Sequence, residues 1–172
     1  MSRFKRNEIM TQILFIGIDP GASGAIAVID RTQKIYLLQD FPGDEVAVSE
    51  IIRNLKSNYS DIDIGINRVF QFKAAIERVH SMPGQGVSSS FKFGTNYGIW
   101  KGILASFQIP FHEPSPRAWQ KGVIKKAQDK IPALAAARRI WPFAELTGPR
   151  GGAKDGRADA LLIADWCRKQ YI

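Results

Sequence analysis

Four acidic side chains stand where local pattern gives each an unusual setting. Asp19 ends the apolar, β-branched run Ile13-Leu14-Phe15-Ile16-Gly17-Ile18, immediately before Pro20-Gly21. Glu77 follows Ala74-Ala75-Ile76, a charge at the far end of a core-like stretch. Asp155 and Asp159 have the spacing that places two side chains one turn apart on the same side of a helix. If the two strands are neighbours and the helix crosses their ends, the four carboxylates converge. Crowded like charges repel, and bound cations make such a cluster tolerable. Hard carboxylate oxygens suit Mg²⁺ or Mn²⁺, and two such ions about 4 Å apart can activate water and stabilise the leaving oxygen of a phosphodiester. Each acid also has a bland alternative. Asp19 can merely start a turn, Glu77 can be an exposed strand residue, and Asp155 and Asp159 can be favourable acids in a helix's first turn.

The elements that must position these acids follow from hydrophobic period and turn residues. The run Ile13–Ile18 predicts a strand, and Gly24–Asp30 and Lys34–Asp40 predict two more, joined by Asp30-Arg31-Thr32-Gln33 as an antiparallel meander. Asp44–Leu55 has Val48, Ile51, Ile52 and Leu55 at helical spacing, with Asp44 and Glu45 suited to its first turn. Phe72–Val79 predicts a strand, His80–Ser90 a loop rich in Gly, Ser and Pro, and Phe91–Phe107 a helix. Ile109–Glu113 is read as a last strand, Pro116 as the first turn of a short helix carrying Trp119, and Ile131–Ile140 as an alanine-rich helix. Thr147–Lys154 is irregular, and Asp155–Tyr171 is read as a final helix with Ala158, Leu161, Leu162 and Trp166 at helical spacing. The order predicts an α/β domain: a mixed five-stranded sheet flanked by helices.

Composition narrows the partners. The chain has 172 residues, 45% hydrophobic, enough for one domain with its own core. Residues 1–12 are read as a polar extension and 13–172 as the domain. Twenty-four Lys and Arg against sixteen Asp and Glu leave a formal charge of +8, so the surface attracts a polyanion. Cys167 is the only cysteine, which excludes an intrachain disulfide and a cysteine-based zinc site. Without a signal-like start or an apolar run of roughly 20 residues, the expectation is a soluble intracellular protein with no membrane partner. The cytoplasm is the expected place, an organelle being left open.

Three segments carry a family resemblance: Ile16-Gly17-Ile18-Asp19-Pro20-Gly21-Ala22-Ser23-Gly24, Ile76-Glu77-Arg78-Val79, and Lys154-Asp155-Gly156-Arg157-Ala158-Asp159-Ala160-Leu161-Leu162. In this order they resemble the RuvC-like Holliday junction resolvases, phage-type members above all, over about Ile13 to Cys167. Ser81–Gly86, Phe91–Gly94 and Tyr97–Trp100 are similar to phage and organellar relatives as well. The resemblance implies an RNase H-like fold with Asp19 on the first strand, Glu77 on the fourth and Asp155 and Asp159 on the last helix, holding two Mg²⁺ or Mn²⁺ ions. It implies a homodimer that resolves four-way junctions or other branched DNA. Two positions depart from the family pattern. Many members carry a ligand three residues before the last aspartate, where this chain has Gly156, with Asp155 one position earlier. Relatives place a catalytic lysine directly after an aromatic residue, whereas here Gln120 follows Trp119 and Lys121 is the candidate. Its amine would neutralise charge on the scissile phosphate; the alternative is an ordinary solvated lysine.

For DNA contact, Ser88, Ser89, Ser90 and Lys92 offer hydroxyls, amides and a cation near Glu77. Phe91 and Phe93 flank Lys92, and the resemblance implies an aromatic wedge in this region, against the alternative that they are core residues. Arg150, Lys154 and Arg157 border the acids; Lys125, Lys126, Lys130, Arg138 and Arg139 add charge farther off, and His80 is read as a local hydrogen-bond partner. The helix Phe91–Phe107 is the expected dimer contributor, unless its aromatic residues fill the monomer core. Three other functions compete: an RNase H-like nuclease of the YqgF type acting on RNA or RNA–DNA hybrid, an actin-like ATPase, and a catalytically silent junction-binding module.

Overall fold

Side-chain alternation along the first strand decides what each face of the sheet packs against. Leu14, Ile16 and Ile18 point one way into a core completed by Val48, Ile52, Trp100 and Leu104. Phe15 points the other way, toward Leu134, Leu161 and Cys167, so the sheet is buried on both faces. The computed structural model describes residues 10–59, 68–78, 86–124 and 132–172. Within them the strands β1 (Met10–Asp19), β2 (Ala25–Ile29), β3 (Ile35–Asp40), β4 (Arg68–Ile76) and β5 (Phe111–His112) form one sheet of order β3-β2-β1-β4-β5. β1, β2 and β3 are an antiparallel meander, while β4 runs parallel to β1 and β5 parallel to β4. Helices α1 (Glu45–Asn58) and α2 (Val87–Ser106) cover one face. Helices α3 (Pro116–Gln120), α4 (Pro132–Ile140) and α5 (Asp155–Lys169) cover the other. This is the mixed five-stranded α/β architecture expected from the sequence.

Helix starts follow local chemistry. Asp44 caps α1, its Oδ1 accepting the Ala47 N–H at 2.8 Å. Pro116 occupies the first turn of α3, where its missing N–H costs nothing. α5 lies closest to the sheet because of two glycines. A Cβ on Gly17 of β1 would stand 2.1 Å from the Ala160 carbonyl oxygen, and one on Gly156 of α5 would stand 2.2 Å from that of Ser23. Gly156→Ala is therefore expected to push α5 off the β1–β2 turn and destabilise the protein by about 1–3 kcal/mol, an overpacking cost readable by denaturant titration. The same clash accounts for glycine, and not a ligand, at that position.

Several boundaries differ from expectation. β1 begins at Met10, so residues 10–12 of the polar extension belong to the sheet, and Gln12 donates to the Tyr36 hydroxyl at 2.8 Å. Residue polarity hid that strand. β4 spans Arg68–Ile76 instead of 72–79, and β5 is only two residues long. α2 starts at Val87, which puts Ser88, Ser89 and Ser90 in its first turn and not in a loop. Serines suit a helix start as well as a loop, so the sequence signal was ambiguous. α5 ends at Lys169, short of Tyr171. His80, Val79, residues 81–85, and Lys125, Lys126 and Lys130 lie outside the described residues. No described helix is long and apolar enough to cross a membrane.

Candidate metal centre

The parallel ladder brings the two strand acids together. Ile18 is the register partner of Ile76, and the Glu77 N–H continues the ladder by donating to the Ile18 carbonyl at 3.0 Å. Alternation then gives Asp19 and Glu77 the same face as Phe15 and Ala75, the face that α5 covers. With Gly17 and Gly156 permitting close contact, the start of α5 lies against the β1–β2 turn, which sets Asp159 beside both acids. The resulting electrostatics are those of crowded carboxylates. Burial, then the charges of Asp19, Glu77 and Asp155, push the Asp159 carboxyl up to about 8. Burial also raises Asp19, against a hydrogen bond from the Gly21 N–H, and raises Glu77, against one from Trp119 and together with the charge of Asp19. Asp159 Oδ1 is buried and has no hydrogen-bond partner among the described residues.

An acceptor oxygen buried without a donor, in the field of neighbouring carboxylates, asks for a cation. The donor set is all oxygen, which suits Mg²⁺ or Mn²⁺. In their present positions, however, no three Asp, Glu, His or Cys side chains among the described residues form one ligating group. Asp19, Glu77 and Asp159 are thus neighbours in each other's field and not a closed cage. Asp155 is exposed at the rim, one turn from Asp159.

The tie between Trp119 and Glu77 was not visible in the sequence. The Trp119 ring is buried and its Nε1 donates to Glu77 Oε1 at 2.9 Å, fixing one oxygen of that carboxylate. Nothing local links residues 42 positions apart; the only available signal was a tryptophan on a short helix that follows a strand. Trp119→Phe keeps most of the packing and removes the donor. It is expected to cost about 10–100-fold in metal affinity or activity, as loss of a group that orients a ligand does, with little change in melting midpoint. An unchanged metal titration would reduce Trp119 to a core residue.

Around the acids opens a cleft of about 1000 Å³, lined by Asp19, Asp155, Asp159, Arg150, Lys154 and Asp40, among others. Arg150 is exposed on its wall. Lys154 and Arg157, expected to meet phosphates, are each paired with Asp40, at 2.8 and 2.7 Å. Across the shared residues Ala22 and Phe41 the cleft continues into a hollow of about 420 Å³ bordered by Phe91, Lys92 and Thr95. Phe91 is 76% exposed and Phe93 half-buried, so neither is a core residue. Lys121 stands exposed just after α3, with no described contact to the acids. Trp100 and Leu104 of α2 belong to the core, the alternative foreseen for that helix.

No protein-family model matches the sequence, and no curated protein matches it. Among solved structures, the chain is similar to Thermus thermophilus RuvC in complex with a Holliday junction substrate, with a TM-score of 0.56 and 14% identity over 92% of this chain and 96% of that one. A further Thermus thermophilus RuvC structure gives a TM-score of 0.54 and 16% identity over 89% and 92%. At such identity the likeness establishes the fold, RNase H-like in its RuvC form.

Proposed function

We propose that this chain of RuvC-like fold is a divalent-metal-dependent endonuclease that cuts branched DNA, four-way junctions foremost. The observation that carries the reading is the unpartnered, buried Asp159 oxygen among the carboxylates of Asp19 and Glu77, at the floor of a cleft in a chain of formal charge +8. Asp19, Glu77 and Asp159 would hold Mg²⁺ or Mn²⁺, two ions per site, with Asp155 completing the set from the rim. Such ions supply Lewis-acid stabilisation of charge on the phosphate and a more acidic water. The chain's own residues do the rest. The turn at Gly21 and the indole of Trp119 orient two of the carboxylates, and Arg150 attracts a phosphate to the cleft wall. Ser88, Ser89 and Lys92, exposed on the first turns of α2, would meet the backbone beyond it, and Phe91 would stack on a base opened at the branch.

Lys121 is assigned the developing charge at the scissile phosphate, reached once DNA seats. Lys121→Ala should then lower the cleavage rate by about 10²-fold while affinity barely changes. Equal losses in both would make it a phosphate-positioning residue.

Cuts in two strands need two sites facing them, which a twofold homodimer supplies. α2 is its proposed contact: Gly94, Gly98 and Gly102 have open space where each Cβ would stand. Light scattering of the junction complex distinguishes two copies from one. The activity itself is tested with end-labelled four-way junction, Y-fork, linear duplex and RNA–DNA hybrid, each in Mg²⁺, Mn²⁺ or EDTA. Cutting of branched DNA in either metal and none in EDTA is expected. Preferential cutting of the hybrid would indicate an RNA-directed nuclease, and tight junction binding without any cutting a silent module.

A further inference from the structure

Asp40, the last residue of β3, is bound by two cations from the start of one helix. Its Oδ2 accepts from Lys154 Nζ at 2.8 Å and its Oδ1 from Arg157 Nε at 2.7 Å. The Arg157 side chain is only 17% exposed, and its Nη1 donates to the Glu145 carbonyl at 3.0 Å. The Lys154 N–H donates to the Leu146 carbonyl at 3.0 Å. One carboxylate therefore joins the end of β3, the segment 145–146 and the first turn of α5. Foremost through the hydrogen bond from Arg157, the Asp40 carboxyl is held below the usual carboxylate range, so it stays ionised at neutral pH.

Position in the sheet gives this clamp its meaning. Asp19 pairs with Ala25, and Ala25 pairs with Asp40, so the two acids occupy one cross-strand row, two strands apart. The row is fixed by the ladder. Farther along, α5 is tied to the β2–β3 turn by Gln33 Nε2 donating to Asp165 Oδ1 at 2.8 Å, whereas around its first turn the contacts besides those of Lys154 and Arg157 are glycine and apolar packing, which set how near the helix comes. Two charge-assisted hydrogen bonds to one carboxylate are directional.

We propose that Asp40 is a positioning residue for the acidic site: through Arg157 and Lys154 it sets the rotation of the first turn of α5 and so aims Asp159 at Asp19. This inference rests on the metal-centre reading above. The competing role is charge masking, in which Asp40 only withholds two cations from DNA.

Full-length Asp40→Asn and Arg157→Lys separate the two roles. The first removes the carboxylate charge, and the second keeps the cation while losing the planar fork. Without DNA, both variants should bind Mn²⁺ about 10–100-fold more weakly by electron paramagnetic resonance of the free ion. Amides of residues 155–159 should exchange hydrogen faster while the rest of α5 is unchanged. In an Asp159→Asn background, Asp40→Asn should have no further effect on Mn²⁺ affinity, because the ligand it aims is gone. Wild-type Mn²⁺ affinity and exchange in both variants, with tighter duplex binding in EDTA by Asp40→Asn, would overturn the proposal in favour of masking. If the wild type binds no Mn²⁺ at the acids, the metal reading fails on its own, and the exchange data still decide whether the clamp holds α5.

Discussion

Asp19→Asn, Glu77→Gln and Asp159→Asn are each expected to abolish Mg²⁺-dependent cutting of a four-way junction while leaving junction binding in EDTA intact or tighter. Each substitution removes one anionic oxygen donor in a nearly isosteric side chain, so the fold and the basic surface remain. If a lost ligand forfeits about 4 kcal/mol of electrostatic stabilisation at the phosphate, the rate falls by roughly 10³-fold. Binding moves the other way. Asp19 and Asp159 line the cleft that must receive phosphates, with Glu77 beside Asp19, and deleting a carboxylate that is ionised in the absence of metal reduces repulsion; for Asp159, raised to about 8, that gain comes only toward alkaline pH. Asp155→Asn is expected to be milder, since that side chain is exposed at the rim. Single-turnover cleavage beside filter binding in EDTA measures both quantities. Near-normal cleavage by one of the three would remove that residue from the site, and parallel loss of binding and cutting would mean damage to the fold.

A second large effect is expected on stability without metal. Burial, then the neighbouring carboxylates, push Asp159 from 3.8 up to about 8. Between those values the folded chain holds a proton that the unfolded chain has released, so stability falls as pH rises through this window. Below about pH 4 both states are protonated and the term vanishes; above about 8 the folded protein carries the full repulsion. Asp19 and Glu77, also raised, act with the same sign. Asp159→Asn in EDTA should therefore be more stable than wild type at pH 8, by roughly 2–4 kcal/mol once solvent relaxation is allowed for, and about equal to it near pH 4. In a chain of this size that is a melting midpoint higher by about 5–15 °C. Adding Mn²⁺ should raise the wild-type midpoint much more than that of the variant, because binding to the folded state alone shifts the equilibrium. A wild-type midpoint in EDTA that is flat from pH 5 to 8, with no gain from the Asn substitution, would contradict mutual repulsion in the site.

The acids were legible because their settings are local. An apolar run stopping at Pro20-Gly21 marks a strand end, and the Ala158, Leu161 and Leu162 stripe marks a helix whose first turn holds Asp155 and Asp159. Glu77 was expected at the end of its strand and sits one residue beyond it, still bonded to Ile18. What the pattern could not show is pairing across the sheet. Lys154 and Arg157 look like free cations beside the acids until Asp40, 114 and 117 positions away, is found between them. Trp119 likewise meets Glu77 only through the folding of α3 against the end of β4. Gly156 reads as a missing ligand in one dimension and as a necessary close contact in three, with the Ser23 carbonyl where its Cβ would be. Long-range hydrogen bonds and backbone approach come from topology, and period and turn chemistry carry no record of them.

Asp19, Glu77 and Asp159 are proposed to gather around divalent metal. Anomalous diffraction from crystals soaked in Mn²⁺ tests this most directly, because the signal locates the ion without assuming any activity. Peaks are expected in contact with Asp19 and Asp159, with Glu77 as a shared or second-ion ligand, and with the three side chains close enough to ligate together. Well-ordered crystals with Mn²⁺ bound elsewhere, or bound at Asp155 alone with the other three carboxylates unmoved, would contradict that proposal.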